Sequence, residues 1–497
     1  MGITIAILVC LLATAAIIKS LRARRSSRLP PGPISFPVVG SLLSLRQPLH
    51  RHFARLADRY GPIVFLKIGM VPYVIANTAR AAEFFLKIHD AEFANRPQSE
   101  EFFRIFSFGW SDLAFRSPGP EWKLMRKICA TNLFSNAMLA TSAPYRRSQL
   151  QSAMDAILDR SRGGEPVNLR TLFARYTSGS LCLTLFSEEC PEVVETINNM
   201  AGQAINLNIG EIIPSLDWMD LHGVYAKMRG EIMPRIKALL DDQVREHQER
   251  KKAAGDGFVC RDFVDVLISL DESDKLSDQE IIGLLCDMVG AGFKTSMESI
   301  EWCMAEVISK PEIMRKAQEE LDQIIGRERA VEEHDLQNLP FIQAILKEAL
   351  RLHPAVPLGM PHYNLRPVEL GDGHGTIIPA KCKLLVNLWA ANRDPAHWTS
   401  PHEFQPERFL GTNISPGGQH FQIIPFSAGR RMCAGYGLAM RSLFFLLASL
   451  LHGFIWSEIS DNPIALEESI GTISCPPAKD LIVAASPRIE ERILAQY

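Results

Sequence analysis

The chain opens on an unbroken apolar run, Met1 to Ile18, that carries no charge and is followed at once by Lys19, Arg22, Arg24, Arg25 and Arg28. As a helix this run spans about 27 Å, enough to cross a thin bilayer such as that of the endoplasmic reticulum. The charges follow the run, and no Ala-x-Ala-like cleavage site precedes a mature start, so the pattern reads as a retained anchor rather than a leader. A basic cluster on this side places the body in the cytosol, where thiols stay reduced. Pro30-Pro31-Gly32-Pro33, with Pro37 and Gly40 behind it, cannot continue a helix and predicts a stiff hinge. Beyond it, Ile63 to Ile68 and Tyr73 to Ala76 are β-branched and aromatic around Gly69, the pattern of a small hairpin. The remainder is mostly helical in period. Ser277 with Glu280 forms a capping-box pattern opening a long buried helix through Trp302 toward Ile308, and Leu438 to Leu451 is a second apolar helix. Arg245 to Arg261, charged and holding Gly255 and Gly257, reads as an exposed loop. With no internal repeat and no long linker, the expected layout is an anchor over 1–18, a basic and proline-rich hinge over 19–40, and one mainly α domain with minor β over 41–497.

Composition narrows the function. The 497 residues carry a net charge of −3 with 22% charged side chains and no basic or acidic tail, which argues against an electrostatic nucleic-acid binder. Ten cysteines include no Cys-x-x-Cys pair and no nearby His/Cys cluster, so neither a structural zinc site nor a disulfide scaffold is indicated. No Gly-x-Gly-x-x-Gly follows a strand, so the chain has no visible dinucleotide site of its own.

Candidate chemistry concentrates at Phe426-Ser427-Ala428-Gly429-Arg430-Arg431-Met432-Cys433-Ala434-Gly435, just before the second apolar helix. A thiolate ligand needs a deprotonated sulfur, a loop that presents it, and neighbours that stabilise its charge. Gly429 permits unusual backbone angles, Gly435 lets the backbone pass close to a flat macrocycle, and Phe426 shields the sulfur. Amides near a helix start can donate to the sulfur, and an arginine such as Arg431 can neutralise a carboxylate.

This decapeptide resembles the Phe-x-x-Gly-x-Arg-x-Cys-x-Gly signature of the cytochrome P-450 superfamily, with Phe426, Gly429, Arg431, Cys433 and Gly435 at its fixed positions. Supporting motifs follow in order. Glu348-Ala349-Leu350-Arg351 resembles the family's Glu-x-x-Arg helix, and Pro406-Glu407-Arg408-Phe409 its partner segment, which together imply a structural Glu348-Arg351-Arg408 network. Trp122 and Arg126, four apart, resemble the Trp-x-x-x-Arg pair that holds a heme propionate. After Pro361 the family often has arginine; His362 stands here as a shorter candidate donor. Asp217 to Gly223, Asp262 to Leu267 and Arg393-Asp394-Pro395 are similar to the plant microsomal branch.

The resemblance implies the α-rich cytochrome P-450 fold and a heme-thiolate monooxygenase. Its cofactor would be heme b (iron protoporphyrin IX) on Cys433, in the endoplasmic reticulum membrane. Electrons would come from NADPH through a partner flavoprotein reductase, and the substrate would be a lipophilic plant-type metabolite: a phenylpropanoid or flavonoid, a terpenoid or an alkaloid. In the long helix the family carries Ala/Gly-Gly-x-Asp/Glu-Thr-Thr/Ser, whereas this chain reads Ala291-Gly292-Phe293-Lys294-Thr295-Ser296. The small pair Ala291-Gly292 and the hydroxyl of Thr295 remain, while lysine replaces the acid that helps deliver protons. Lys294 turns outward, or acts as a desolvated proton source or anion site, or marks a different reaction such as coupling, rearrangement or dehydration. A heme-thiolate isomerase or dehydratase and a non-catalytic membrane-anchored binding protein are the rival classes. Glu100 to Ser117, with Phe102, Phe103, Phe106 and Phe108, and Ala204 to Ile213 are the expected apolar pocket walls.

Overall fold

The computed structural model describes residues 28–203, 209–469 and 473–497. The expected anchor over 1–18, the hinge up to residue 27, and 204–208 of the expected pocket wall lie outside the described residues. The predicted hairpin forms: β1 (Ile63–Ile68) runs antiparallel to β2 (Val71–Ala76), from Ile63 opposite Ala76 to Ile68 opposite Val71. Gly69 makes the two-residue turn at a φ of +60°, a conformation that glycine adopts without steric cost. The hairpin belongs to a four-stranded sheet. β3 (His362–Tyr363) and β4 (Lys383–Val386) extend it in the order β1-β2-β4-β3, with β4 parallel to β2.

The described part of the proline-rich segment is docked along the β1 side of this sheet. The Pro31 carbonyl accepts from Phe65 N–H at 2.8 Å, and Ser41 N–H donates to the Lys67 carbonyl at 2.7 Å. Prolines are tolerated there because a sheet edge does not require an N–H from every residue. Gly40 makes the approach possible: at its φ of +59°, a Cβ would lie 2.4 Å from the carbonyl oxygens of Lys67 and Gly69.

Among the helices that position the site are α1 (Glu101–Phe106), α2 (Pro120–Asn132), α3 (Leu169–Phe186), α4 (Met233–Ala254), α5 (Asp278–Ile308), α6 (Pro340–Leu352) and α7 (Tyr436–Gly453). The predicted capping box starts α5: the Ser277 side chain accepts from Glu280 N–H, and Ser277 N–H donates to Glu280 Oε2 at 3.0 Å. α5 packs against α3, α4, α6 and α7. Its first half, Ile281 to Phe293, contributes to one hydrophobic cluster with Leu185 and Met125; its second, Met297 to Ile308, to another with Ile345 and Leu447. The expected loop over 245–261 is corrected in its first part, because α4 continues to Ala254 before Gly255 ends it. Arg, Lys, Glu and Gln there are good helix formers, and Ile236, Leu240, Val244 and His247 supply a narrow buried stripe. α7 is long and apolar enough to cross a membrane, yet Leu443, Leu446, Leu447 and Leu450 are packed in the core.

Ser277→Ala removes the cap and is expected to lower unfolding free energy by about 1 kcal/mol in chemical denaturation. A loss below about 0.3 kcal/mol would show that tertiary packing alone fixes the start of α5.

Candidate active site

The loop before α7 owes its shape to two left-handed residues, Ser427 and Gly429, at φ of +61° and +69°. A Cβ on Gly429 would meet the Leu86 carbonyl oxygen at 2.2 Å, so only glycine fits. Asp90 grips the turn, accepting from Arg430 N–H at 3.2 and 3.1 Å and pairing with the Arg430 guanidinium. Cys433 N–H donates to the Phe426 carbonyl at 3.0 Å, and the Phe426 ring meets Tyr436 edge-on with centroids 5.2 Å apart. Cys433 keeps open surface although protein encloses it, which places it on the wall of an internal cavity. Burial pushes its thiol pKa up. Opposing that are hydrogen bonds from the amides of Gly435 and Tyr436, at the start of α7, and the charge of Arg126. At Gly435 a Cβ would make ordinary van der Waals contact, 3.9 Å from the Phe134 ring and 4.0 Å from the Cys433 sulfur, so the packing of the protein alone does not demand glycine there.

Glu348 and Arg351 meet as the sequence predicts. Arg351 Nε and Nη2 donate to the two Glu348 oxygens at 2.7 and 2.8 Å, and Arg408 Nε donates to Oε1 at 3.0 Å. Arg351 also donates to the carbonyls of Asn392, Pro401 and Glu403, which ties α6 to the segment leading toward the cysteine loop.

A second group of arginines lies near the sulfur. Arg126 Nη2 donates to the Met432 carbonyl at 2.7 Å, while Trp122 Nε1 donates to the Leu113 carbonyl at 3.1 Å, so the pair does not converge on one acceptor. Arg431 donates to the carbonyls of Ala94, Leu113 and Arg116, and its guanidinium lies 4.5 Å from the centre of the Trp122 ring. Sequence reasoning missed Arg96. Its side chain is buried and donates to the carbonyls of Ala114 at 2.9 Å, Pro361 at 2.6 Å and Met360 at 3.2 Å. Burial lowers the pKa of Arg431 to about 8 and of Arg96 to about 10, with the charge of Arg96 adding to the effect on Arg431. Guanidinium groups keep their protons at neutral pH, so this is a buried cationic cluster whose bonds run to carbonyls, and Asp112 and Asp90 offset it only in part.

His362 beside them behaves differently. Its Nδ1 lies 3.1 Å from the Phe93 carbonyl, which only accepts, so the proton is on Nδ1; burial, then Arg96, lowers its pKa to about 3. The remaining Nε2 carries a lone pair, so His362 would donate to an anion only on taking up a second proton. The segment bearing Leu113 is held to α5 by Asp287, whose Oδ2 accepts from Leu113 and Ala114 N–H at 2.8 and 2.9 Å. Burial raises Asp287 to about 6, and burial with the Asp287 charge holds Asp112 well above the usual carboxylate range.

The otherwise buried α5 becomes accessible between its two clusters: Ala291 is exposed, and Gly292, Lys294, Thr295 and Ser296 are half-buried. Thr295 Oγ1 donates to the Ala291 carbonyl at 2.6 Å, which leaves its lone pairs free to accept. Gly292 has a packing reason to be small, since a Cβ would lie 2.8 Å from the Leu181 side chain of α3. The Phe side chains of the 100–117 segment form a cluster with Phe115, stacked on Phe103 at 4.5 Å and edge-on to Phe106 at 5.3 Å.

These features fit heme. Cys433 offers one sulfur to a cavity, and a cationic cluster nearby lacks the anions that two propionates would bring.

The family model for cytochrome P450 matches residues 30–483. The chain is 36% identical to a flavonoid 3′-monooxygenase of Petunia hybrida over 494 residues, covering 94% of each chain. It is 37% identical to that of Arabidopsis thaliana, over 95% of each. A 3,9-dihydroxypterocarpan 6A-monooxygenase of Glycine max is 35% identical, over 97% of this chain and 98% of its own length. Among solved structures, a zebra fish cytochrome P450 with abiraterone superposes at a TM-score of 0.74, with 26% identity, 90% of this chain and all of that chain covered.

Arg351→Ala leaves Glu348 buried with one cation fewer and is expected to cost about 3–5 kcal/mol. Loss of soluble folded protein, or a thermal shift of that scale, checks it; a near-neutral variant would show that the network carries little of the loop's support.

Proposed function

Because the chain belongs to the cytochrome P450 family, we propose that Cys433 is the thiolate ligand of its heme iron and that its substrate is a flavonoid-like phenolic. The enzyme is a monooxygenase of the plant specialised-metabolite kind, using heme and electrons from NADPH delivered by a partner reductase. The observation that carries the assignment of the ligand is the thiol of Cys433, enclosed by protein yet open to the cavity, and faced by the amides of Gly435 and Tyr436. Relatives named monooxygenases and hydroxylases support oxygen insertion over an isomerase, a dehydratase or a binding protein.

Bound heme supplies dioxygen activation, in which one oxygen atom enters the substrate and the other leaves as water. The protein's own residues set the conditions. Gly435 and Tyr436 N–H groups favour the anionic form of the Cys433 sulfur, and Phe426 lies edge-on to Tyr436 beside it. Arg96, Arg126 and Arg431 would hold the propionates, with the Trp122 ring against the Arg431 guanidinium to hold its plane. Neutral His362 fixes the strand that presents the carbonyls to Arg96. Ala291, accessible on α5, would leave room beside the heme, and the Thr295 hydroxyl, donating to the Ala291 carbonyl, keeps lone pairs to accept a proton. Phe102, Phe103, Phe106 and Phe108 give an apolar wall that excludes water and packs against an aromatic substrate. Residues 1–18 anchor the enzyme in the endoplasmic reticulum membrane with the basic residues after them as the tether, and the body, onto which the proline-rich segment docks, faces the cytosol beside its reductase; the hydrophobic run and the basic cluster after it support this.

Membranes holding the enzyme and a reductase, fed NADPH and the flavanone naringenin, are expected to yield a hydroxylated product. Cys433→Ser should abolish both the product and the red-shifted Soret band of the reduced carbon monoxide complex; retention of that band in the variant would contradict the assignment of the ligand. Arg96→Gln is expected to lower the heme-to-protein ratio several-fold, as loss of a charge-assisted bond of about 1.5–3 kcal/mol implies. His362→Phe should leave that ratio within about two-fold. A ratio unchanged in Arg96→Gln would remove Arg96 from the propionate site.

A further inference from the structure

Glu298 is a buried carboxyl that the mechanism above does not use. It lies on α5 four residues beyond Lys294 and three beyond Thr295, so each of the two neighbours it along the helix, on either flank. The residue is 0% exposed. Its Oε1 accepts from the Ser474 hydroxyl at 2.8 Å, while Oε2 has no hydrogen-bond partner among the described residues. An ionised carboxylate with a bare oxygen is costly in such a place, whereas a carboxylic acid carries an O–H that can be donated.

The charged and titratable groups acting on Glu298 are Lys294 and Glu301 on α5, Arg170 on α3, and the Ser474 hydroxyl with the neighbouring Cys475 thiol. Arg170 Nε is committed to Glu301, at 2.9 and 3.0 Å from its two oxygens, and of the two cations Lys294 has the larger effect on Glu298. Burial raises the Glu298 pKa to about 7, and the Ser474 bond and the Lys294 charge restrain the rise. A carboxyl in this range exchanges its proton near neutral pH.

We propose that Glu298 is a positioning acid of the distal wall: it stores the proton that Thr295 passes into the cavity, with Lys294 as the charge that lets Glu298 release it. This rests on the monooxygenase reading, in which protons are consumed with the reductase's electrons to make water. The Glu298 O–H breaks and its proton crosses a bridging water to a lone pair of Thr295 Oγ1; the Thr295 hydroxyl turns from the Ala291 carbonyl and releases its own proton toward the cavity. No electron moves in this step. Glu298 is left as a carboxylate stabilised by the Lys294 charge, and water returns the proton. The two residues thus exchange the family pattern's roles: the cation stands where the acid is expected, and the acid stands one turn further on.

The test uses the full-length enzyme loaded with heme, with reductase and naringenin, in Glu298→Gln and Glu298→Asp. Glu298→Gln is expected to keep the thiolate carbon monoxide band while peroxide released per NADPH rises roughly ten-fold. Wild-type coupling should fall as pH rises through about 7, since the store then empties; the Gln variant should lose this dependence, and Glu298→Asp should recover more than half the coupling. Independently of turnover, the infrared difference between wild type and Glu298→Gln, or Glu298→Asp if the Gln variant does not fold, should hold a carboxylic-acid C=O band that fades through the same pH range, separate from the bands of Asp112 and Asp287, which cancel. Wild-type coupling and pH profile in the Gln variant, or no such difference band, would overturn the proposal. If Glu298→Gln fails to fold, the wild-type infrared titration and the Asp variant decide it. A wild type without the thiolate band or reductase-dependent NADPH oxidation would instead overturn the monooxygenase reading, a separate outcome.

Discussion

A cysteine sulfur held inside the protein is the point around which the rest of the candidate site is arranged. Burial drives the Cys433 thiol toward the neutral form, although the residue keeps open surface. Two amides at the start of α7 and the guanidinium of Arg126 pull the other way. For those amides to aim at the sulfur, the loop must turn through two left-handed residues and stay there. Asp90 holds one side of the turn through Arg430, and the Glu348-Arg351-Arg408 network braces the segment behind it. Neither device touches the cavity. Each fixes a backbone position that the chemistry requires, at a desolvation cost that packed apolar residues would not incur.

The same logic explains why so much positive charge is buried near one cavity. Arg96 and Arg431 come from distant parts of the chain and bind carbonyls, which orient them but leave their charge unbalanced. A dianionic cofactor held there would balance it and couple binding to local stability at this face. Asp287 ties the intervening loop to α5 through the Leu113 and Ala114 amides. The arginine cluster and α5 therefore share a support.

Local patterns made much of this legible in the sequence. The capping box at Ser277, the hairpin around Gly69, and the Glu348-Arg351 pair are each decided by residues a few positions apart, where geometry follows from periodicity. What escaped depends on distant contacts. Arg96 precedes Pro97 in no recognisable motif and gains meaning only because the chain brings the Met360 and Pro361 carbonyls to it. The tautomer of His362 is set by the Phe93 carbonyl, a contact from a distant segment. The charged stretch after Arg245 reads as a loop because a solvated helix with a narrow apolar stripe is mostly polar; Gly255, its true stop, is visible but reads as one feature of a longer loop. Gly292 lies against Leu181 of α3, a neighbour that no local pattern predicts. Lys294 was read alone as an anomaly, and the carboxyl of Glu298 one turn on changes what that lysine acts upon.

The central claim is a bond between the sulfur of residue 433 and iron, and X-ray absorption at the iron edge of the purified, heme-loaded protein observes it directly. The account predicts one sulfur in the first coordination shell of the wild type, replaced by nitrogen in Cys433→His. A wild-type shell made of nitrogen and oxygen alone would contradict it.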